Sequence, residues 1–84
     1  MDVWYVYVVQ CADNSLYTGI AKDIEARLIQ HNAGLGAKYT RARGPVTLVY
    51  QEIAENRGAA LRKELEIKRL KASEKRALVN GGRL

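Results

Sequence analysis

The 84-residue chain is 48% apolar and 27% charged, a balance that excludes a disordered segment and suits one small globular domain spanning residues 1–84. Its one cysteine, Cys11, excludes an intrachain disulfide, and no stretch approaches the 18 apolar residues of a membrane span. The net charge of +5 is unevenly placed. One lysine and four acids fall in residues 1–26, and the other thirteen basic residues meet five acids in 27–84, which suggests a basic surface facing a polyanion.

The run WYVYVVQC (4–11) is β-branched and aromatic, so a largely buried strand is expected there, with Trp4 in the core. ADNS is a turn, and LYTGI (16–20) completes a hairpin. Asp23 is placed to cap a helix from Ile24 to about Ala33, with Gly34 as the left-handed residue after it. GLGAKYTRARGP (34–45) reads as a basic loop that its glycines allow to move, and VTLVYQEI (46–53) as a third strand. Asn56 then caps a helix over 57–70, and Ser73 another from 74 to about 80 that ends at Gly81-Gly82. The order β-β-α-β-α-α predicts an α/β (α+β) domain: a small, mainly antiparallel three-stranded sheet flanked by helices.

Several polar residues fall where a plain core has no use for them. Tyr5, Tyr7, Val9 and Cys11 share one face of the first strand. A two-residue loop at Asp13-Asn14 would turn Tyr17 away from Tyr7. A three-residue loop, with Asn14 left-handed and Cys11 paired to Ser15, puts both tyrosines on one face, and this is the favoured arrangement. Arg27 and His31 are four residues apart on the first helix, along the edge of the Ile24–Leu28 stripe. Arg27 pairing with Asp23 and His31 finishing the helix C-terminus is the purely local alternative. On the wheel of the second helix, Ala60, Leu61, Leu65 and Ile67 form the apolar arc, and Glu64 falls inside it. A carboxylate there calls for a partner: either Lys68 at i+4 or a bound cation.

Taken together, Tyr7, Tyr17-Thr18-Gly19, Arg27, His31 and Glu64 resemble the GIY-YIG nuclease superfamily, from WYVYVV to ALRKELEIKRL. CADNSLYTGIAKDIEARLIQHNAGLGAKYTRARGPVTLVY is similar to the small stand-alone bacterial members. The chain departs from the pattern in having Tyr5-Val6-Tyr7 for Gly-Ile-Tyr and Thr18 for the usual isoleucine, and Asn80 is the nearest counterpart of the asparagine many members carry. The tyrosines and the glycine remain.

The resemblance implies a metal-dependent endonuclease that hydrolyses DNA phosphodiesters in branched, nicked or single-stranded forms, with a place in repair or recombination. It assigns Tyr7 to the attacking water, Tyr17 to holding water or phosphate, and Arg27 to the non-bridging oxygens, where such a stabiliser is worth ~10²–10³ in rate. It implies that Glu64 binds one divalent cation, Mg²⁺ or Mn²⁺. A phenol of ordinary pKa about 10 needs help as a base, from a nearby cation that lowers it and from His31, which titrates where it accepts the proton. Gly19 is structural, marking a close backbone approach.

Lys38, Arg41 and Arg43 in the loop, with Lys68 on the second helix, are the expected contacts to a nucleic-acid backbone, DNA favoured over RNA. A cytoplasmic, soluble protein with no membrane partner is expected. Superfamily nucleases usually carry a separate DNA-binding domain, so a protein partner that supplies targeting is also expected. The competing readings are a non-catalytic nucleic-acid-binding module and an accessory subunit. A binding module has no use for a carboxylate facing a polyanion.

Overall fold

The computed structural model describes residues 3–80. Its elements follow the expected order with one addition: β1 (Trp4–Gln10), β2 (Leu16–Ala21), α1 (Ile24–Asn32), α2 (Lys38–Arg41), β3 (Thr47–Ala54), α3 (Arg57–Lys68) and α4 (Ala72–Val79). The strands form one antiparallel sheet in the order β2-β1-β3. β1 is therefore central and covered on both faces, which explains its unbroken apolar run. Among the described residues no helix is long and apolar enough to cross a membrane.

The hairpin takes the three-residue form. Cys11 N–H donates to the Ser15 carbonyl at 2.8 Å, and Asn14 sits at φ 68°. The register then pairs Tyr7 with Gly19 and Val9 with Tyr17, so Tyr7 and Tyr17 share a face. Asp23 caps α1 by accepting from Ala26 N–H, and Asn56 caps α3 by accepting from Ala59 N–H. Gly34 (φ 78°) closes α1 as expected: its N–H reaches the His31 carbonyl while Leu35 N–H reaches that of Gln30.

One core cluster (Tyr7, Val9, Cys11, Ala21 and Val46, with Ile24 and Leu28 of α1) lies on one face of the sheet. The other face packs Val6 and Val8 against Ile67 of α3 and Leu78 of α4. Between Val8 and Val9 the pairing with β3 slips, leaving Val49 as an extra residue, and Leu48 and Val49 thus join different clusters.

Four expectations need correction. The 34–45 segment is not a free loop. It contains α2, whose Thr40 is fully buried. The buried side of α3 is Ala60, Lys63, Glu64 and Ile67, while Leu61 and Leu65 are exposed, because Ala60 and Ile67 lead the helix onto β1. Trp4 is half-buried at the sheet's end, with the Lys22 and Arg57 cations over its ring, and belongs to neither cluster. Finally, α4 starts two residues earlier than Ser73 allows: Lys71 is the N-cap residue, and its N–H is held by the Glu74 carboxylate at 2.8 Å. The expected end at Gly81-Gly82 lies outside the described residues.

Candidate active site

Gly19 is the reason the site can exist. Directly opposite Tyr7 on β2, it presents no side chain, and the Tyr7 ring lies across it toward the sheet edge. A Cβ at Gly19 would stand 2.6 Å from the Tyr7 oxygen and 2.8 Å from Cζ. Over this gap α1 delivers His31, whose Nε2 lies 2.8 Å from the Tyr7 hydroxyl. His31 is 1% exposed, not at the core boundary, and its ring meets Tyr7 and Tyr17 edge-on. The purely local roles weighed for α1 are not taken. The Arg27 guanidinium reaches Gln30 at 3.0 Å, leaving Asp23 to cap the helix.

Arg27 carries the site's anomaly. Its Nε is buried and has no hydrogen-bond partner among the described residues. A buried N–H without an acceptor costs about 1–3 kcal/mol, and a charged one more. An anion arriving beside it removes that cost. The electrostatics agree in sign. Burial above all pushes the Tyr7 hydroxyl above its ordinary pKa, with the neighbouring Arg27 side chain pulling it back and the Tyr17 and Glu64 side chains adding to the rise. The Arg27 cation by itself does not offset the desolvation. His31 moves down, first through burial and then through repulsion by Arg27. At neutral pH the pair is thus a neutral phenol facing a neutral imidazole.

Glu64 approaches from the other face of the sheet. Lys63 leans toward β3, where it meets Glu52 at 3.5 Å, so Glu64, on the opposite flank of the Ala60–Ile67 line, leans toward β2. Its charge contributes to the rise at Tyr7. Lys68 stands 3.2 Å from its Oε2, so the i+4 ion pair weighed from the sequence is present. Among the described residues no three acidic, histidine or cysteine side chains gather to hold a metal. The donor set is one carboxylate, which fits a hard ion that keeps most of its waters and takes further oxygens from a phosphate.

Sequence reasoning missed α2, which closes the site from outside. Thr40 Oγ1 lies 2.8 Å from His31 Nδ1, and Tyr39 stacks on Tyr17 with ring centres 5.8 Å apart. Gly36 packs so close to the His31 ring that a Cβ there would stand 2.8 Å from Cε1 and Cγ. The paired glycines 34 and 36 were the available signal. One ends α1, and the other makes room for an imidazole. Arg43 is drawn into this scaffold, 3.3 Å from Asp13 and 4.0 Å above the Tyr39 ring, with Nη1 donating to the Tyr39 carbonyl. Lys38 and Arg41 remain exposed, and Lys68 is half-exposed beside Glu64.

The GIY-YIG catalytic domain model matches residues 3–77. A UPF0213 protein of Staphylococcus saprophyticus is 54% identical over 98% of this chain and 100% of its own length. One from Staphylococcus aureus is 53% identical over 94% and 96%. Among solved structures, the solution NMR structure of a UPF0213 protein from Bacillus halodurans superposes with TM-score 0.60 at 42% identity, covering 93% of this chain and 83% of that one. A protein from E. faecalis superposes with TM-score 0.61 at 36% identity, covering 95% and 86%.

Proposed function

The chain belongs to the GIY-YIG catalytic-domain family, among the small UPF0213 proteins, and from that premise we propose that it is a divalent-metal-dependent nuclease hydrolysing DNA phosphodiesters. One observation carries the reading: a buried Tyr7–His31 hydrogen bond lies beside an arginine whose buried Nε has no acceptor. A plain core has no use for either. A phosphodiester and an attacking water supply what each lacks, oxygens for Arg27 and a proton for Tyr7 to take up.

In this mechanism Tyr7 takes a proton from the attacking water as its own hydroxyl proton passes to His31 Nε2, leaving an imidazolium. The water oxygen bonds to phosphorus as the opposite P–O bond breaks. A relay suits Tyr7 better than a resting phenolate, because burial keeps the phenol neutral until the water gives up its proton. Arg27 forks onto the non-bridging oxygens and stays charged throughout. Tyr17, fixed between His31 and Tyr39, holds water or phosphate with its hydroxyl. Glu64 would hold Mg²⁺ or Mn²⁺, which when bound neutralises charge on the phosphate and the departing oxygen. Lys38, Arg41 and Lys68 face the DNA backbone, and a branched or nicked substrate in repair or recombination is the favoured context.

The Glu64–Lys68 pair favours a second reading, a binding module in which that carboxylate is only structural. Labelled linear, nicked, branched and single-stranded DNA, incubated with Mg²⁺, Mn²⁺ or EDTA, separates the two. Metal-dependent cleavage that falls ~10²–10³-fold in Arg27→Ala supports the nuclease. Retention of DNA without cleavage under any metal leaves the binder.

A further inference from the structure

Whether His31 can accept the Tyr7 proton depends on which ring nitrogen already holds one. A neutral imidazole carries a single N–H, and the partner of the far nitrogen selects its place. On the far side of His31 stands Thr40, which makes two contacts with one hydroxyl: 3.0 Å to the Ala37 carbonyl and 2.8 Å to Nδ1. A carbonyl only accepts, so at that contact the hydroxyl donates, joining the Thr40 and Arg41 N–H groups that reach the same oxygen at 3.2 Å. The short contact to the ring is then Nδ1–H donating to Oγ1. The Ala37 N–H approaches the same nitrogen at 3.4 Å, long for a hydrogen bond and much weaker than the contacts it would have to displace.

We propose that Thr40 is a positioning residue that fixes the His31 proton on Nδ1, so that Nε2 presents its lone pair to the Tyr7 hydroxyl. The inference rests on the reading of His31 as the acceptor for Tyr7, and it gives α2 a purpose. This four-residue helix carries the hydroxyl that sets the relay's direction, and Tyr39 on Tyr17 and Arg43 on Asp13 hold it against the site. With the opposite tautomer, Nε2–H would point at the Tyr7 oxygen and no proton could pass to it.

His31 is the chain's one histidine, so its tautomer can be read without assignment from two-bond ¹H–¹⁵N correlations of protein carrying ¹⁵N-histidine. Wild type and Thr40→Ser are expected to show the Nδ1–H form. Thr40→Val keeps the shape, lacks the hydroxyl, and is expected to move the proton to Nε2. Cleavage should fall about 10²-fold in the valine variant, the lower range for a positioned acid–base group, and recover in the serine variant. An Nε2–H wild type overturns the proposal, as does a valine variant that keeps Nδ1–H. Should the valine variant not fold, the wild-type spectrum decides alone. If the tautomers behave as expected and no variant cuts DNA, the nuclease reading fails while the tautomer assignment stands.

Discussion

Gly36→Ala perturbs the site through packing alone. Gly36 does not occupy the left-handed region, so alanine is conformationally allowed and only space is at issue. The new methyl carbon would lie 2.8 Å from Cε1 and Cγ of His31, and closer still to Nδ1, where ordinary contact begins near 3.4 Å. The ring cannot swing aside, since Tyr7 and Tyr17 pack edge-on against it and Thr40 holds its far nitrogen. Either the ring or the Gly36 segment must shift by more than half an ångström, and the bonds to Tyr7 and Thr40 lengthen together. Overpacking of this kind costs ~1–3 kcal/mol, and two weakened buried hydrogen bonds add ~1 kcal/mol each. The expected loss of ~3–5 kcal/mol is a large share of the stability of a domain this size. Thermal unfolding should therefore drop by at least ~10 °C, at ~4–8 °C per kcal/mol.

Gly58→Ala is the internal control. It lies in the first turn of α3, its added carbon would meet nothing nearer than 3.4 Å, and alanine there should add up to ~1 kcal/mol through the unfolded state. The two substitutions are thus expected to move the melt in opposite directions. A Gly36→Ala protein that melts within ~2 °C of wild type would falsify the packing argument.

Glu64→Gln should reduce cleavage by orders of magnitude, because the bound cation is worth several kcal/mol, while DNA binding in EDTA holds or improves. Mn²⁺ should raise the wild-type melt and leave the glutamine variant unmoved; a Mn²⁺-insensitive wild type with a strongly destabilised variant would make Glu64 a structural partner of Lys68. Reversing the exposed pair Lys38 and Arg41 to Glu should weaken binding to all sequences alike and flatten the log–log salt dependence by about two phosphate contacts, and an unchanged slope would remove these residues from the interface. His31 has a folded pKa below its ordinary 6.5, so the unfolded chain binds more protons there and stability is lost as pH falls from about 6.5 toward the folded value. His31→Gln should flatten that window, which lies well above the Asp13 window below 3.8, and denaturant midpoints measured from pH 4.5 to 7.5 will show whether it does. Asn32→Ala removes the side chain that accepts from Val46 N–H at 2.7 Å and donates to its carbonyl, tying α1 to the start of β3; urea unfolding should register a loss of ~1–3 kcal/mol.

The sequence by itself determined what depends on neighbours along the chain. The β-branched run 4–11 made β1 a largely buried strand. Asn14's tolerance of a positive φ set the loop length, and with it the strand parity that puts Tyr7 and Tyr17 on one face. The caps at Asp23, Gly34 and Asn56 are equally local, each satisfying groups within a few residues. Tertiary structure decided the rest. Nothing in a four-residue stretch of Lys-Tyr-Thr-Arg has a period long enough to reveal α2, whose form depends on Thr40 and Tyr39 meeting side chains far along the chain. The wheel of α3 placed Leu61 and Leu65 inward by hydropathy, yet the helix seats Ala60 and Ile67 on β1 and turns Glu64 toward the open edge of β2. His31 reads from its helix as a boundary residue. It is buried because Gly19 and Gly36, seventeen residues apart, each leave out the side chain that would have filled the space it shares with Tyr7.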